Sequence, residues 1–275
     1  NLTTLDLSSW DTSNVTGMGS MFSGCSKLTS VGDLSSWDTS KATSMHMMFY
    51  RCSNLTSVGD LSSWDTSKVT NMIDMFFSCS KLTSVGDLSG WDTSKVTSMD
   101  SMFYGCSKLT TLDLSSWDTS NVTNMYWMLS GCSNLTSVGD LSSWDTSKVT
   151  NMSRMFYGCS KLSADCSNWD VSKVTGHMEF NMKAPGVTVP LAWQTSSDEG
   201  VENSAVAPLC DEQGNGDALG VPSDNGNDEA ASKTGGEVSA DSETVGSATT
   251  SATDEAGTKE EAASDDIVQE DPIAA

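Results

Sequence analysis

Residues 109–120 read Leu109-Thr110-Thr111-Leu112-Asp113-Leu114-Ser115-Ser116-Trp117-Asp118-Thr119-Ser120. The same order of apolar and polar residues stands at Leu2-Thr3-Thr4-Leu5-Asp6-Leu7, ahead of Trp10. Working outward, tryptophans recur at Trp10, Trp37, Trp64, Trp91, Trp117, Trp144 and Trp169, spaced by 25 to 27 residues. In six of these seven units a cysteine follows fifteen residues later: Cys25, Cys52, Cys79, Cys106, Cys132 and Cys159. Self-similarity at a fixed period of this size is the signature of a solenoid, in which one coil cannot bury its apolar face alone but stacked coils can.

Counted from each Trp, apolar residues fall at +5, +8, +11, +12, +15, +18 and +21; the second unit gives Ala42, Met45, Met48, Phe49, Cys52, Leu55 and Val58. Steps of three without a long 3.6-residue stripe argue against long helices. The string Leu109 to Leu114 has the form of a leucine-rich-repeat strand. In the longer units the corresponding string carries an extra residue beside Gly32, Gly59, Gly86 or Gly139, which suits a bulge. A second short strand is expected at Val69 to Met72 and its equivalents, and a single helical turn over the Met-Phe-x-Gly-Cys piece after it. The aspartate after each Trp suits a turn whose backbone N–H groups it accepts. The expected fold is a repeat solenoid: a leucine-rich-repeat-like, β-rich, right-handed coil with short strands and single helical turns, plus a disordered tail.

The chain has 275 residues and a net charge of −23. Residues 1–182 carry a net −6 and residues 183–275 a net −17. The segment 196–275, rich in Ser, Gly, Ala, Thr and acids, cannot bury enough apolar surface to offset the entropy of ordering, and is expected to be an acidic disordered tail. Between it and the repeats, residues 183–195 hold Val187, Val189, Leu191 and Trp193 in alternation, a candidate strand capping the open end of the stack. The seventh unit is degenerate, with Cys166 and Val171 in place of the usual residues, as terminal repeats tend to be. The acidic balance argues against nucleic acid. No apolar run is long enough to span a membrane. The start at Asn1, inside a repeat and without a comparable N-terminal cap, reads as a fragment or a processed piece.

The phrases Leu112-Asp113-Leu114-Ser115-Ser116-Trp117-Asp118-Thr119-Ser120-Asn121-Val122-Thr123-Asn124-Met125 and Met102-Phe103-Tyr104-Gly105-Cys106-Ser107-Lys108-Leu109 closely resemble BspA-like leucine-rich repeats, known also from mycoplasma-type surface lipoproteins. The resemblance covers residues 1–182. It implies a bacterial protein that is secreted or at the cell surface, often linked to adhesion to host matrix proteins or other microbes, and implies no catalysis or cofactor.

The residues themselves offer little for catalysis. His46 and His177 stand at non-equivalent positions without a motif around either, and no serine lies in a Gly-x-Ser-x-Gly elbow. A buried thiol ladder is the favoured reading of the cysteines, because a column of parallel side chains has poor disulfide geometry. Cys159 and Cys166 lack zinc spacing and histidine partners. Cys210 stands alone in the tail. The column Asp11, Asp38, Asp65, Asp92, Asp118, Asp145 and Asp170 could hold calcium between coils, but turn capping already accounts for it. Thr12, Thr39, Thr66 and Thr16, Thr43, Thr70 form columns four residues apart, not the flat Thr-x-Thr array of an ice-binding surface.

Differences among the copies concentrate at three positions. At +9 stand Gly19, His46, Ile73, Asp100, Tyr126 and Ser153; at +10 Ser20, Met47, Asp74, Ser101, Trp127 and Arg154; at +13 Ser23, Tyr50, Phe77, Tyr104, Ser130 and Tyr157. Positions that accept Gly, Asp, Tyr and Arg are expected outside the core, as columns on one exposed face. The candidate ligand-binding residues are Tyr50, Phe77, Asp100, Tyr104, Tyr126, Trp127, Arg154 and Tyr157, facing a protein or glycan on host or neighbouring cells. Two alternatives stay open: drift at solvent-facing sites with the aromatics partly packed between coils, and a structural spacer of ~30–35 Å for seven coils whose binding lies elsewhere.

Overall fold

Hydrogen bonds between units alternate along the backbone with tight-turn bonds within them, such as Met48 N–H on Met45 O and Cys52 N–H on Phe49 O. At +10, +12 and +14 after Trp the N–H groups point to the following unit: Ser20 donates to His46 O, Phe22 to Met48 O and Gly24 to Tyr50 O, at 2.7–2.9 Å. The next unit repeats the set one step on, with Met47 to Ile73 O, Phe49 to Met75 O and Arg51 to Phe77 O. The +6 threonines run the opposite way, Thr43 N–H to Thr16 O and Thr70 N–H to Thr43 O. The chain divides into two units, Asn1–Ala205 and Val206–Ala275, and the computed structural model describes residues 2–194. The expected tail 196–275 and Cys210 lie outside the described residues.

The two expected strand segments are present as single parallel bridges. One column runs Gly17, Ser44, Asn71, Ser98, Asn124, Asn151, Gly176; the other holds Thr4 with Ser30, Ser57 with Ser84, and Thr111 with Ser137. Only at the C-terminal end does pairing lengthen, where β1 (Ser163–Asp165) lies parallel to β2 (Gly186–Thr188). Both bridge columns follow the same phrase, Ser-Lys/Asn-apolar-Thr, as at Ser94-Lys95-Val96-Thr97 and Ser107-Lys108-Leu109-Thr110. Each unit therefore builds one kind of ladder twice.

The helical turns expected at Met-Phe-x-Gly-Cys do not form. Among the described residues the one α-helix is α1 (Leu191–Gln194). The reason is twofold. Alternate N–H groups of that segment, as at Phe49 and Arg51, serve the neighbouring unit, and the backbone is left-handed at +10 and +14 in every unit, as at Met47 (φ 53°) and Arg51 (φ 56°). Left-handed residues end a right-handed helix. The segment 187–193 likewise begins as β2 and then, after Pro190, turns into α1, with Trp193 N–H on Pro190 O at 2.9 Å. The four bulge glycines are left-handed too. At Gly59 (φ 77°) a Cβ would stand 3.2 Å from Gly32 O of the preceding unit, so glycine is needed there for both angle and space.

The core follows the repeat. Ala42, Met45, Met48, Phe49, Cys52, Leu55 and Val58 are all fully buried. Trp37, Trp64 and Trp91 stack at 6.1–6.3 Å, with indole Nε1 of each donating to a leucine carbonyl of the preceding unit at 3.1 Å. Phe22, Phe49, Phe76 and Phe103 form a second ring column at 5.2–5.4 Å. The seven cysteines among the described residues are free thiols. Cys52 and Cys79 each donate Sγ–H to a phenylalanine carbonyl of the preceding unit, at 3.0 Å. Burial pushes the Cys52 thiol up to about 12, so these sulfurs act as packing and donor groups rather than nucleophiles.

Stacking is what completes this burial. Trp10 is 53% exposed and Trp37 is 2% exposed, although their phrases are nearly the same. A large side chain covered in this way stabilises by about 1.5–3 kcal/mol, and here the cover comes from the neighbouring unit.

Candidate binding surface

The +10 column decides how the variable face is built. All seven +10 residues, from Ser20 to Glu179, have φ between 52° and 58°, and none is glycine. A single left-handed residue costs roughly 1–2 kcal/mol. From Ser20 to Arg154 the cost is offset by an inter-unit bond from the +10 N–H to the next +9 carbonyl, as in Trp127 to Ser153 O at 3.1 Å and Arg154 to Met178 O at 2.8 Å. This bond brings the +9 and +10 columns together, and the +13 column lies one turn further on.

The structure joins most of the candidate residues into one row. Tyr50 stacks on Phe77 at 4.9 Å, Phe77 on Tyr104 at 4.6 Å, Tyr104 on Trp127 at 5.2 Å, and Trp127 on Tyr126 at 4.6 Å. In the fifth unit the +13 position is Ser130, small and buried. The ring that continues the row comes instead from +10, as Trp127. Cations sit over its two ends, Arg51 at 5.1 Å from the Tyr50 ring centre and Arg154 at 5.8 Å from that of Trp127. Arg154 Nε donates to Glu179 Oε2 at 2.6 Å, which ties the row to the seventh unit. Tyr157 stands apart from the row, with Lys183 5.3 Å from its ring centre.

The exposed face expected for these columns needs correction. All eight candidate residues are half-buried; for Tyr50, Phe77, Tyr104 and Trp127 the cover comes from rings of neighbouring units. At spacings of 4.6–5.2 Å there is no gap for a planar ligand between them. Of the flanking arginines, Arg51 is exposed and Arg154 is half-buried. Asp100 is the clearest departure. Its Oδ1 accepts from Ser101 Oγ at 2.7 Å and its Oδ2 from Asn124 Nδ2 at 3.3 Å, so the charge is held inside the surface by donors. Burial still raises its carboxyl above the ordinary value, against the effect of those two donors.

Three participants escaped the sequence reading: Arg51, Glu179 and Lys183. Arg51 had a signal, since it replaces the glycine found before Cys25 and Cys106. Glu179 and Lys183 fall in the degenerate seventh unit, where the backbone keeps the +10 and +14 positions although the sequence phrase is lost, and their roles follow only from the stacking.

The aspartates after each Trp are turn caps. Asp38, Asp65 and Asp92 each accept the N–H of the serine two residues on, at 2.9 Å. The Ser67 hydroxyl and N–H hold the Asp65 carboxyl below its ordinary value. A second column, Asp33, Asp60, Asp87 and Asp140 among them, caps the turn before each Trp in the same way. Thr12, Thr39 and Thr66 are buried, each hydroxyl on an aspartate carbonyl of the following unit. Thr16, Thr43 and Thr70 remain exposed. No helix among the described residues is long and apolar enough to cross a membrane.

A family described as "Mycoplasma protein of unknown function, DUF285" matches residues 1–85 and 77–188, which together contain every stacked unit. This chain belongs to that family. The resemblance to BspA-like, mycoplasma-type repeats drawn from residues 102–125 agrees with the match. A leucine-rich repeat protein from Bacteroides ovatus is similar among solved structures, at 17% identity over 64% of this chain and 59% of that one, with a TM-score of 0.25. Among curated proteins none matches the sequence.

Proposed function

We propose that this DUF285 chain is a binding module of a secreted or cell-surface bacterial protein, a right-handed solenoid without catalytic activity. Its partner is a protein or glycan on host or neighbouring cells, and its contact face is the row Tyr50–Phe77–Tyr104–Trp127–Tyr126. The observation that supports this reading is that variation among the copies and aromatic side chains coincide on one surface row, while the core columns stay nearly uniform. Aromatic and arginine side chains are favoured anchors at interfaces. Adhesion and surface location rest on the family resemblance.

A structural spacer is the second reading, and one observation favours it: the ring faces are already taken up by one another. The two readings separate when the chain is immobilised and screened against host matrix proteins, a glycan array and whole cells. A binding module gives at least one saturable signal that the isolated chain competes away. A spacer gives none.

A further inference from the structure

Asp74 and Asp100 stand on neighbouring units and neighbouring columns, with Asp74 N–H donating to Asp100 O at 2.9 Å. Both side chains are half-buried, yet their surroundings differ. Both oxygens of Asp100 accept hydrogen bonds, from Ser101 and Asn124. The Asp74 carboxylate has no such donor among the described residues; what acts on it is burial, and then the like charge of Asp100. On the same face the titratable groups of the preceding unit are His46, Tyr50 and Arg51, and those of the following unit are Asp100 and Tyr104. Of these, Asp100 is the one that acts on Asp74.

A carboxylate without donors, partly out of water and beside a second carboxylate, is relieved by taking up a proton. The position of this pair gives the proton a consequence. Phe77 N–H donates to Asp74 O at 3.0 Å, and Tyr104 N–H to Ser101 O at 3.0 Å. The turn that starts at Asp74 and the turn that starts at Ser101, next to Asp100, therefore carry the rings that stack at 4.6 Å.

We propose that Asp74 is a proton-binding group at the base of the aromatic row, and that its ionisation weakens the seam between the third and fourth units where Phe77 meets Tyr104. Burial and Asp100 together push the Asp74 carboxyl up to about 7 from an ordinary 3.8. The folded chain thus holds this proton more tightly than the unfolded one. Its stabilising contribution is complete below pH 3.8 and is lost as pH rises to about 7. An effect on partner binding rests on the proposed role of the row; the seam does not.

The test follows the aspartate carboxyl signals of the full chain by 13C NMR from pH 3 to 9, with thermal unfolding of wild type and Asp74→Asn at pH 5 and pH 8. One carboxyl titrating near neutrality, absent from Asp74→Asn, is expected, with the amide signals of Phe77 and Tyr104 moving at the same midpoint. Asp74→Asn is expected to unfold several degrees above wild type at pH 8, with a smaller difference at pH 5. Aspartates that all titrate in the ordinary acidic range, or a difference equal at both pH values, overturn the proposal. Neither readout involves a partner, so failure here leaves the binding role of the row standing.

Discussion

Two ring columns run side by side through this protein, and they obey different rules. The inner one, Phe22, Phe49, Phe76 and Phe103, stacks at 5.2–5.4 Å and is buried throughout. The outer one, one residue later in each unit, stacks at 4.6–4.9 Å over Tyr50, Phe77 and Tyr104 and is half-buried. The inner column has walls on every side, so a change of size there leaves a cavity or a clash. The outer column is open at the exposed Ser23, and at the buried Ser130 its place in the row is taken by Trp127, which reaches across from another position. Stacking alone therefore does not fix residue identity; enclosure keeps the position large and apolar, with Leu129 standing in the fifth unit where the first four have Phe.

The contrast can be broken most forcefully from the inside. Phe76→Ala is expected to cost about 3–5 kcal/mol, the usual cost of truncating an enclosed ring, seen as a lower urea midpoint. A loss no larger than that of an outer-row change would remove the distinction. Ser130→Tyr should come next. A ring at 130 competes with Trp127 for the face of Tyr104, and forced packing of this kind costs about 1–3 kcal/mol; near-UV circular dichroism should change with the tryptophan's setting. Phe77→Ser should cost no more than that, about 1–3 kcal/mol for the two ring pairs lost with Tyr50 and Tyr104, with cooperative unfolding retained.

Much of the inner column was legible beforehand. The spacing of Trp37, Trp64 and Trp91 and the apolar positions of the second unit mark residues that are buried in the structure. Enclosed positions admit few residue types, so their pattern survives in the sequence. The outer face was legible only as a set of varying positions. Its half-burial, the hydrogen bonds on Asp100 and the left-handed backbone at Met47, Trp127 and Arg154 have no residue signature. They arise from N–H groups bonding to the next unit, a relation that a single repeat does not display. The missing helical turns have the same cause. One clue was present: where +13 is the small Ser130, +10 is the large Trp127, and that exchange within one unit marks two columns sharing one space.

The central claim is that the outer row meets a partner while the inner columns hold the fold. It is tested most directly by changing Tyr126 and Trp127 together to Ser and measuring two quantities on the same preparation: the thermal midpoint, and binding to whichever matrix protein, glycan or cell the wild-type chain captures. The expected result is binding lost at least tenfold, with a thermal midpoint only a few degrees lower. Binding equal to wild type in a folded double variant would contradict the assignment of the row.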